Sequence, residues 1–151
     1  MIYKPFVTVV IPNYNKGIFL KRAVDSVISQ SYFNWECIIV DNHSTGFDKD
    51  YLLEIDKHPK IKVFYIKNNG IIASSRNQAI RKAHKKTSLI SFLDSDDSWH
   101  PDKLKNIVRY HQHYDITFHK LLPNPLSYLI TSPSYLSPMV NKISYEDLLK
   151  N

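Results

Sequence analysis

The chain has 151 residues, and its content of 43% hydrophobic and 23% charged residues is that of a single domain with a sizeable core. Twenty Lys and Arg outnumber fourteen Asp and Glu, and the resulting net charge of +6 favours contact with phosphates, nucleic acid or an anionic membrane surface. No apolar stretch approaches the ~20 residues that cross a bilayer, and Cys37, the one cysteine, excludes an internal disulfide bond, so we expect a cytoplasmic protein.

Four apolar runs alternate with amphipathic segments in the first part of the chain. The runs predict strands at residues 6–12, 36–41, 61–66 and 88–94. Helices are predicted within residues 19–28, 51–56, 73–86 and 101–114, the last opened by a proline, which is favoured in a first helical turn. Apolar strands that alternate with helices are typical of a mainly parallel sheet covered on both faces. The predicted fold class is therefore α/β, a Rossmann-like three-layer sandwich.

Polar residues directly follow each predicted strand. They read PNYNK after the first strand, DNHS after the second, KNNG after the third and DSDD after the fourth. Because ligands of open parallel sheets bind at the carboxyl ends of the strands, these segments favour a binding site over a set of solvated turns.

The last of these segments contains Asp94-Ser95-Asp96. We expect an extended backbone here, in which Asp94 and Asp96 face one ligand while Ser95 turns aside. Two carboxylates suit Mg²⁺ or Mn²⁺, and Mg²⁺ commonly joins such groups to substrate phosphates. The alternative is the acidic N-terminus of the helix that follows, with no ligand.

The alternating pattern does not continue into residues 116–151. This segment has no sustained periodicity before a final helix-like stretch, and it contains Pro123, Pro125, Pro133 and Pro138. We expect a core of residues 1–115 and a proline-rich connection with a final helix at residues 116–151. The C-terminal part of a larger domain is expected to be missing.

Several motifs, in one order, resemble those of family 2 glycosyltransferases, which have the GT-A fold. The resemblance lies in VTVVIPNYNKG, ECIIVDNHST, NNGIIASSRNQAI and ISFLDSDDSWHPDKL, and it covers about residues 7–104. It implies that the chain is the N-terminal, nucleotide-sugar-binding portion of such an enzyme, given without the acceptor-binding region.

The resemblance also implies roles for individual residues. Pro12, Tyr14 and Asn15 match a P-x-Y-N segment that lines the base and ribose pocket, and Lys16 adds a positive charge beside it. Asp41 matches an aspartate that accepts a hydrogen bond from a uracil ring. The further donor contacts that the resemblance implies are Asn68, Arg76, Asn77, Asp94 and Ser95. The implied ligands of the Mg²⁺ or Mn²⁺ ion are Asp96 and Asp94.

The chain departs from the family pattern at two positions, in the gap from Gly70 to Arg76, which is longer than expected, and in its length. Asn42 and Gly46 stand where the family usually has aspartates. The general base of the family lies in the acceptor region, which we expect beyond Asn151, so no catalytic residue is assigned. Glu146 and Asp147 are interpreted as the solvated first turn of a helix.

The expected function is metal-dependent transfer of a sugar, with inversion, from a UDP-sugar to a hydroxyl of a glycan or lipid-linked acceptor in cell-surface polysaccharide synthesis. The first alternative is a non-catalytic nucleotide-sugar-binding module or a truncated pseudoenzyme. A phosphotransferase of the haloacid-dehalogenase kind is opposed by Asp97 after the D-x-D and by Pro12 at the end of the first strand. Charge alone suggests a nucleic-acid binder, and the acidic strand ends oppose it, so no nucleic-acid partner is expected.

A basic segment, RKAHKK at residues 81–86, bears on localisation. The preferred interpretation is the solvated C-terminal turn of a helix, which the helix dipole favours. Peripheral association with the inner face of the membrane is the other interpretation, and it stays open.

Overall fold

The structure of the protein is a computed structural model, and it describes residues 4–111. The strands are β1 (Phe6–Asn13), β2 (Trp35–Asp41), β3 (Ile61–Tyr65) and β4 (Thr87–Phe92). The helices are α1 (Ile18–Ile28), α2 (Phe47–Ile55), α3 (Ile72–Lys82) and α4 (Lys103–Tyr110). Strands and helices alternate without exception in this part of the chain, as the hydrophobic pattern predicts.

The strands form one parallel sheet in the order β3-β2-β1-β4. The chain moves from β1 to β3 in one direction and returns across the sheet to β4. Right-handed connections therefore carry α1 and α2 over one face and α3 over the other. The predicted α/β class with a parallel sheet between helical layers is confirmed.

The core lies on both faces of the two central strands, β1 and β2. On one face, Val10, Ile38 and Val40 form a buried cluster with Ala79 of α3. Because successive side chains of a strand point to opposite faces, the residues next to these along each strand face α1 and α2. Cys37 is one of these, and it is completely buried, as expected of a small apolar residue.

Pro12 lies inside β1 and does not end the strand, which continues to Asn13. The backbone groups of Val10 face β4, since its carbonyl accepts from Leu93 N at 3.0 Å. Those of Asn13 face β2, since its carbonyl accepts from Asn42 N at 2.9 Å. By alternation the missing N–H of Pro12 lies on the β4 side, beyond the end of that strand, so no ladder hydrogen bond is lost.

Three predicted helix boundaries are wrong. α2 begins at Phe47, well before residue 51. α3 ends at Lys82, because Ala83 leaves the helical conformation with ψ 146°, so residues 84–86 of the basic segment lie outside the helix. α4 begins at Lys103, and residues 101–102 form a turn before it, so Pro101 precedes the helix.

The chain divides into two compact units, Met1–Lys105 and Asn106–Asn151. Most of the second unit lies outside the described residues, as do the predicted proline-rich connection and the final helix at residues 116–151, so the proposed division at residue 115 stays a prediction. Within residues 4–111, no helix is long and apolar enough to cross a membrane.

Candidate functional site

The carboxyl ends of β1 and β2 place Asn13 beside Asp41. The two residues are partners in the parallel register, and Asn13 Nδ2 donates a hydrogen bond to Asp41 Oδ1 at 2.8 Å. Both side chains lie on the face of the sheet that α1 and α2 cover, by the alternation along each strand. The polar end of each strand is thus part of one buried network.

Asp41 is completely buried, and its carboxylate is held by Ser44 as well as by Asn13. The backbone N–H of Ser44 donates to Asp41 Oδ2 at 2.8 Å, and the Ser44 hydroxyl donates to Oδ1. Because Asp41 is completely buried, a nucleotide base reaches its carboxylate only if this network rearranges. The predicted contact between Asp41 and uracil stays a prediction.

The loop between β1 and α1 carries Tyr14, Asn15 and Lys16, three of the four residues matched to the P-x-Y-N segment and its lysine. Tyr14 is 56% exposed, so its ring is accessible for stacking. Asn15 has a left-handed backbone, with φ 47°, and its Oδ1 accepts from Thr45 N at 2.9 Å. Asn15 is therefore a link to the β2–α2 loop and does not cap α1, whose N-cap is Gly17. Half-buried Pro12 stands at the base of this loop.

Asp48, in the first turn of α2, holds the same loop from the other side. Its Oδ2 accepts from Gly17 N at 2.7 Å, and its Oδ1 accepts from Lys16 N at 3.1 Å and from Asn13 Nδ2 at 3.1 Å. The side chain is only 3% exposed. The carboxylate thus joins α2 to the strand end and to the loop through three N–H groups.

The D-x-D segment forms a turn and is not extended. β4 ends at Phe92, and the backbone N–H of Asp97 donates to the carbonyl of Asp94 at 3.0 Å. Ser95 is 4% exposed, whereas Asp94 and Asp96 are exposed. The predicted extended geometry was wrong, although the two carboxylates are exposed and the serine is buried. That the two carboxylates face one ligand stays a prediction.

Each of these two carboxylates has a basic partner from another element. Lys16 Nζ lies 2.7 Å from Asp96 Oδ2, and Arg76 Nη2 of α3 lies 2.7 Å from Asp94 Oδ1. The four side chains are 38–51% exposed, so the two pairs face solvent at the edge of the sheet. The structure therefore brings four of the predicted site residues together.

The pKa values follow from this arrangement. The hydrogen bond from Lys16 lowers the pKa of Asp96, and the same contact raises the pKa of Lys16. Partial burial, followed by the negative charges of Asp96 and Asp94, raises the pKa of Asp97. The carboxylates of this turn repel one another, and the Lys16 ammonium neutralises one of them, Asp96.

Two further predicted residues lie on the α3 side. Asn68 is engaged locally, because its Nδ2 donates to Ser75 Oγ at 2.7 Å and to Ile71 O at 2.9 Å, and its Oδ1 accepts from Gly70 N at 3.1 Å. It thereby shapes the entry to α3, which carries Arg76. Asn77 is exposed at the next position of that helix. Their predicted contacts with a donor stay predictions.

The carboxylates of Asp94 and Asp96 fit a divalent ion only as part of its ligand set. Within residues 4–111, no group of three or more His, Cys, Asp or Glu side chains is arranged to hold a metal ion. Mg²⁺ and Mn²⁺ favour six oxygen ligands and are often held by one or two carboxylates, with phosphate and water completing the shell. The exposed acidic pair therefore fits a metal–diphosphate complex.

Three residues of the site carry no role in the sequence analysis: Asn13, Ser44 and Asp48. Asn13 is the x of P-x-Y-N, and Ser44 follows DNH. In the sequence, both are only residues of the polar segments that follow the strands. Asp48 was hidden because the predicted helix began after it. An acidic residue in the first turn of a helix was the available signal.

The chain is similar in sequence to known proteins. The glycosyl transferase family 2 profile matches residues 8–122. The Bacillus subtilis protein TuaG is named as a putative teichuronic acid biosynthesis glycosyltransferase. It is 34% identical in an alignment of 157 positions, which covers 99% of this chain and 59% of that protein. The Escherichia coli protein WfgD, named as a UDP-Glc:α-D-GlcNAc-diphosphoundecaprenol β-1,3-glucosyltransferase, is 29% identical over 153 residues, which cover 96% of this chain and 55% of that protein. The chain thus spans less than two thirds of these relatives.

Solved structures agree in fold. A Staphylococcus aureus TarS fragment in complex with UDP matches with a TM-score of 0.62 and 25% identity, over 70% of this chain and 33% of that one. A mannosyltransferase from Pyrobaculum calidifontis, in complex with GDP-Man and Mn²⁺, matches with a TM-score of 0.66 and 25% identity, over 84% of this chain and 38% of that one. Both have the GT-A fold, which confirms the predicted fold. The chain is a member of glycosyl transferase family 2.

Proposed function

We propose that this chain binds the donor of a glycosyltransferase that transfers a sugar from a UDP-sugar to a hydroxyl group during cell-surface polysaccharide synthesis. The observation that carries the proposal is the pair of exposed ion pairs, Lys16–Asp96 and Arg76–Asp94, at the carboxyl edge of the sheet. Two carboxylates and two cations, side by side, offer ligands for a metal ion and partners for a diphosphate in one place.

Each side chain has a distinct proposed task. Asp96, with Asp94, would hold Mg²⁺ or Mn²⁺, which would neutralise the charge that develops on the UDP leaving group. Arg76 and Lys16 would pair with the phosphate oxygens, for which the planar guanidinium is well suited. Tyr14, which is 56% exposed, would stack on the base. Asp41 would read the uracil N–H after local rearrangement.

The relatives support the chemical class of the donor and of the acceptor. WfgD is named for a UDP-Glc donor and a diphosphoundecaprenol-linked acceptor, and TuaG is named for a cell-surface polymer. GDP-Man with Mn²⁺ in the mannosyltransferase structure makes GDP the necessary competitor in any test of base preference. A lipid-linked acceptor, association with the membrane surface and inversion at the anomeric carbon belong to this proposal.

Calorimetric titration tests the donor assignment. We expect UDP to bind in the presence of Mn²⁺, to bind more weakly after chelation with EDTA, and to bind better than GDP. Asp96→Ala and Asp41→Ala should each weaken UDP binding, whereas Asp25→Ala should not, because Asp25 pairs with Lys21 on the outer side of α1. No binding of either nucleotide, or binding unchanged by both site variants, would overturn the proposal.

A separate assay distinguishes an enzyme from a binding module. The chain is incubated with UDP-sugars and Mn²⁺, with and without a polyprenyl-diphosphate sugar acceptor, and released UDP is measured. Acceptor-dependent release identifies a transferase, whereas tight UDP binding with no release identifies a nucleotide-sugar-binding module.

A further inference from the structure

Asp48 is a buried residue that holds two backbone amides of the loop that carries Lys16. Its two oxygens accept from the backbone N–H groups of consecutive residues, Lys16 at 3.1 Å and Gly17 at 2.7 Å. A third donor, Asn13 Nδ2 at 3.1 Å, ties the same carboxylate to the end of β1. Hydrogen bonds from N–H groups to a charged acceptor are stronger than those between neutral groups. The carboxylate is therefore a rigid clamp between α2 and the loop.

The loop needs such a clamp, because its backbone is unfavourable and its side chains bury little surface. Asn15 has φ 47°, and Gly17 has φ 59° with ψ −127°, a combination that only glycine adopts readily. Tyr14 and Ile18, at the two ends of this stretch, are 56% and 57% exposed. The contacts from Ser44 and Thr45 reach Asn15, whereas the backbone amide of Lys16 is held by Asp48.

The clamped residue is the one whose side chain reaches the acidic turn. Asp48 fixes the Lys16 backbone, and the Lys16 ammonium lies 2.7 Å from Asp96 Oδ2. The two contacts belong to one residue, so a movement of the loop moves the ammonium relative to the D-x-D. Lysine carries its ammonium on a flexible four-carbon stem, so the region that the ammonium can reach depends on where the backbone is held.

We propose that Asp48 is a positioning residue that acts through Lys16 and sets how tightly this edge of the sheet binds the diphosphate of a nucleotide. This inference rests on the proposed function, and it adds a residue on α2 that touches neither the metal ion nor the nucleotide. The chemistry that it controls is the contact between an ammonium and phosphate oxygens.

The test variant is Asp48→Asn, which keeps the size of the side chain but replaces one acceptor oxygen with an NH₂ group. Its control is Asp50→Asn, which removes the same charge from the same helical turn at an exposed position. UDP affinity is measured with Mn²⁺ in the wild type, in both variants and in each variant combined with Lys16→Ala. Hydrogen exchange of the Lys16 and Gly17 amides is followed in parallel.

We expect Asp48→Asn to weaken UDP binding roughly fivefold or more, and Asp50→Asn to change it less than about twofold. With Lys16 already replaced by alanine, Asp48→Asn should change UDP binding less than about twofold, because the group through which it acts is gone. Exchange of the two loop amides should be about tenfold faster in Asp48→Asn, with the amides of β1 unchanged.

The double variant separates positioning from a general structural effect. If Asp48→Asn weakens binding equally with and without Lys16, or does not weaken it at all, the positioning role is overturned while the donor proposal stands. If the wild type binds neither UDP nor GDP, both are overturned. Asp48→Ser, whose hydroxyl accepts from one amide, is the second variant; if both it and Asp48→Asn fail to fold, Asp48 is a folding residue and the inference is overturned.

Discussion

The substitution Lys16→Ala gives the sharpest test of the metal-binding edge, because it should change Mn²⁺ affinity in opposite directions with and without nucleotide. In the structure the Lys16 ammonium pairs with Asp96 at 2.7 Å. A divalent ion that binds this carboxylate competes with the ammonium for its negative charge. Under the proposed function, bound UDP would give the ammonium a new partner in the diphosphate, which would compensate for its loss of Asp96.

The magnitude follows from exposure. The two side chains are 40% and 50% exposed, and an ion pair at such a site contributes about 0.2–1 kcal/mol. Loss of the pair should therefore raise the affinity for Mn²⁺ alone by about 1.4-fold to about fivefold. Loss of a charged hydrogen bond to phosphate costs about 1.5–3 kcal/mol, so the complex of UDP with Mn²⁺ should bind about tenfold more weakly or worse, and the affinity for Mn²⁺ measured with UDP present should fall accordingly.

The assay is titration of Mn²⁺ followed by the electron paramagnetic resonance signal of the free ion, first without nucleotide and then with UDP. Lys21→Ala is a matched control, because Lys21 and Asp25 form a pair with the same 2.7 Å distance and with side chains that are 44% and 54% exposed. That variant should leave both affinities unchanged. If Lys16→Ala lowers the affinity for Mn²⁺ alone, the reasoning that Lys16 and the metal ion compete for Asp96 is refuted.

Two further predictions concern the folded domain. Burial lowers the pKa of Lys103 from 10.5 to about 7. Between these pH values the unfolded chain binds one more proton at this lysine than the folded chain does. The wild type should therefore gain stability, relative to Lys103→Met, as the pH rises from 7 to 10. Since Lys103 is partly exposed, we expect the free energy of unfolding, measured by thermal unfolding, to rise by about 1 kcal/mol relative to Lys103→Met. Lys105→Met is the control, because Lys105 is 68% exposed and its replacement should give no such difference. A difference between wild type and Lys103→Met that does not change with pH would contradict the burial of Lys103. Burial also raises the pKa of the Cys37 thiol, so iodoacetamide should leave the native protein unlabelled by mass spectrometry and label it fully in urea; rapid native labelling would show that β2 is accessible.

The predicted architecture depends on local sequence patterns, and these were sufficient for it. The apolar run at residues 6–12 and the alternation of such runs with helical segments predict a parallel sheet, which the pairing of β1 with β2 and β4 confirms. Boundaries were less well predicted where tertiary contacts decide them. α2 begins at Phe47, and the acidic Asp48 in its first turn was the local signal for this start. The contact of Asp48 with Gly17 is tertiary, and no local pattern shows it.

The carboxyl edge of the sheet shows the same division between local and tertiary information. The polar segment after each strand and the D-x-D are local features, so the sequence alone located the acidic turn and Arg76. The partners of these groups are distant along the chain. Lys16 meets Asp96 only because β1 and β4 are neighbours in the sheet, and Asn13 meets Asp41 only through the register of β1 and β2.

The sequence by itself therefore determined the fold class, the family and the edge of the sheet at which polar chemistry collects, because each depends on the order and spacing of short motifs. Only the tertiary structure decided that Asp41 is completely buried and that Asp48 holds the loop of Lys16. These properties depend on hydrogen bonds between segments far apart in the chain. No local periodicity encodes such bonds, since they form only when the strands and helices have packed.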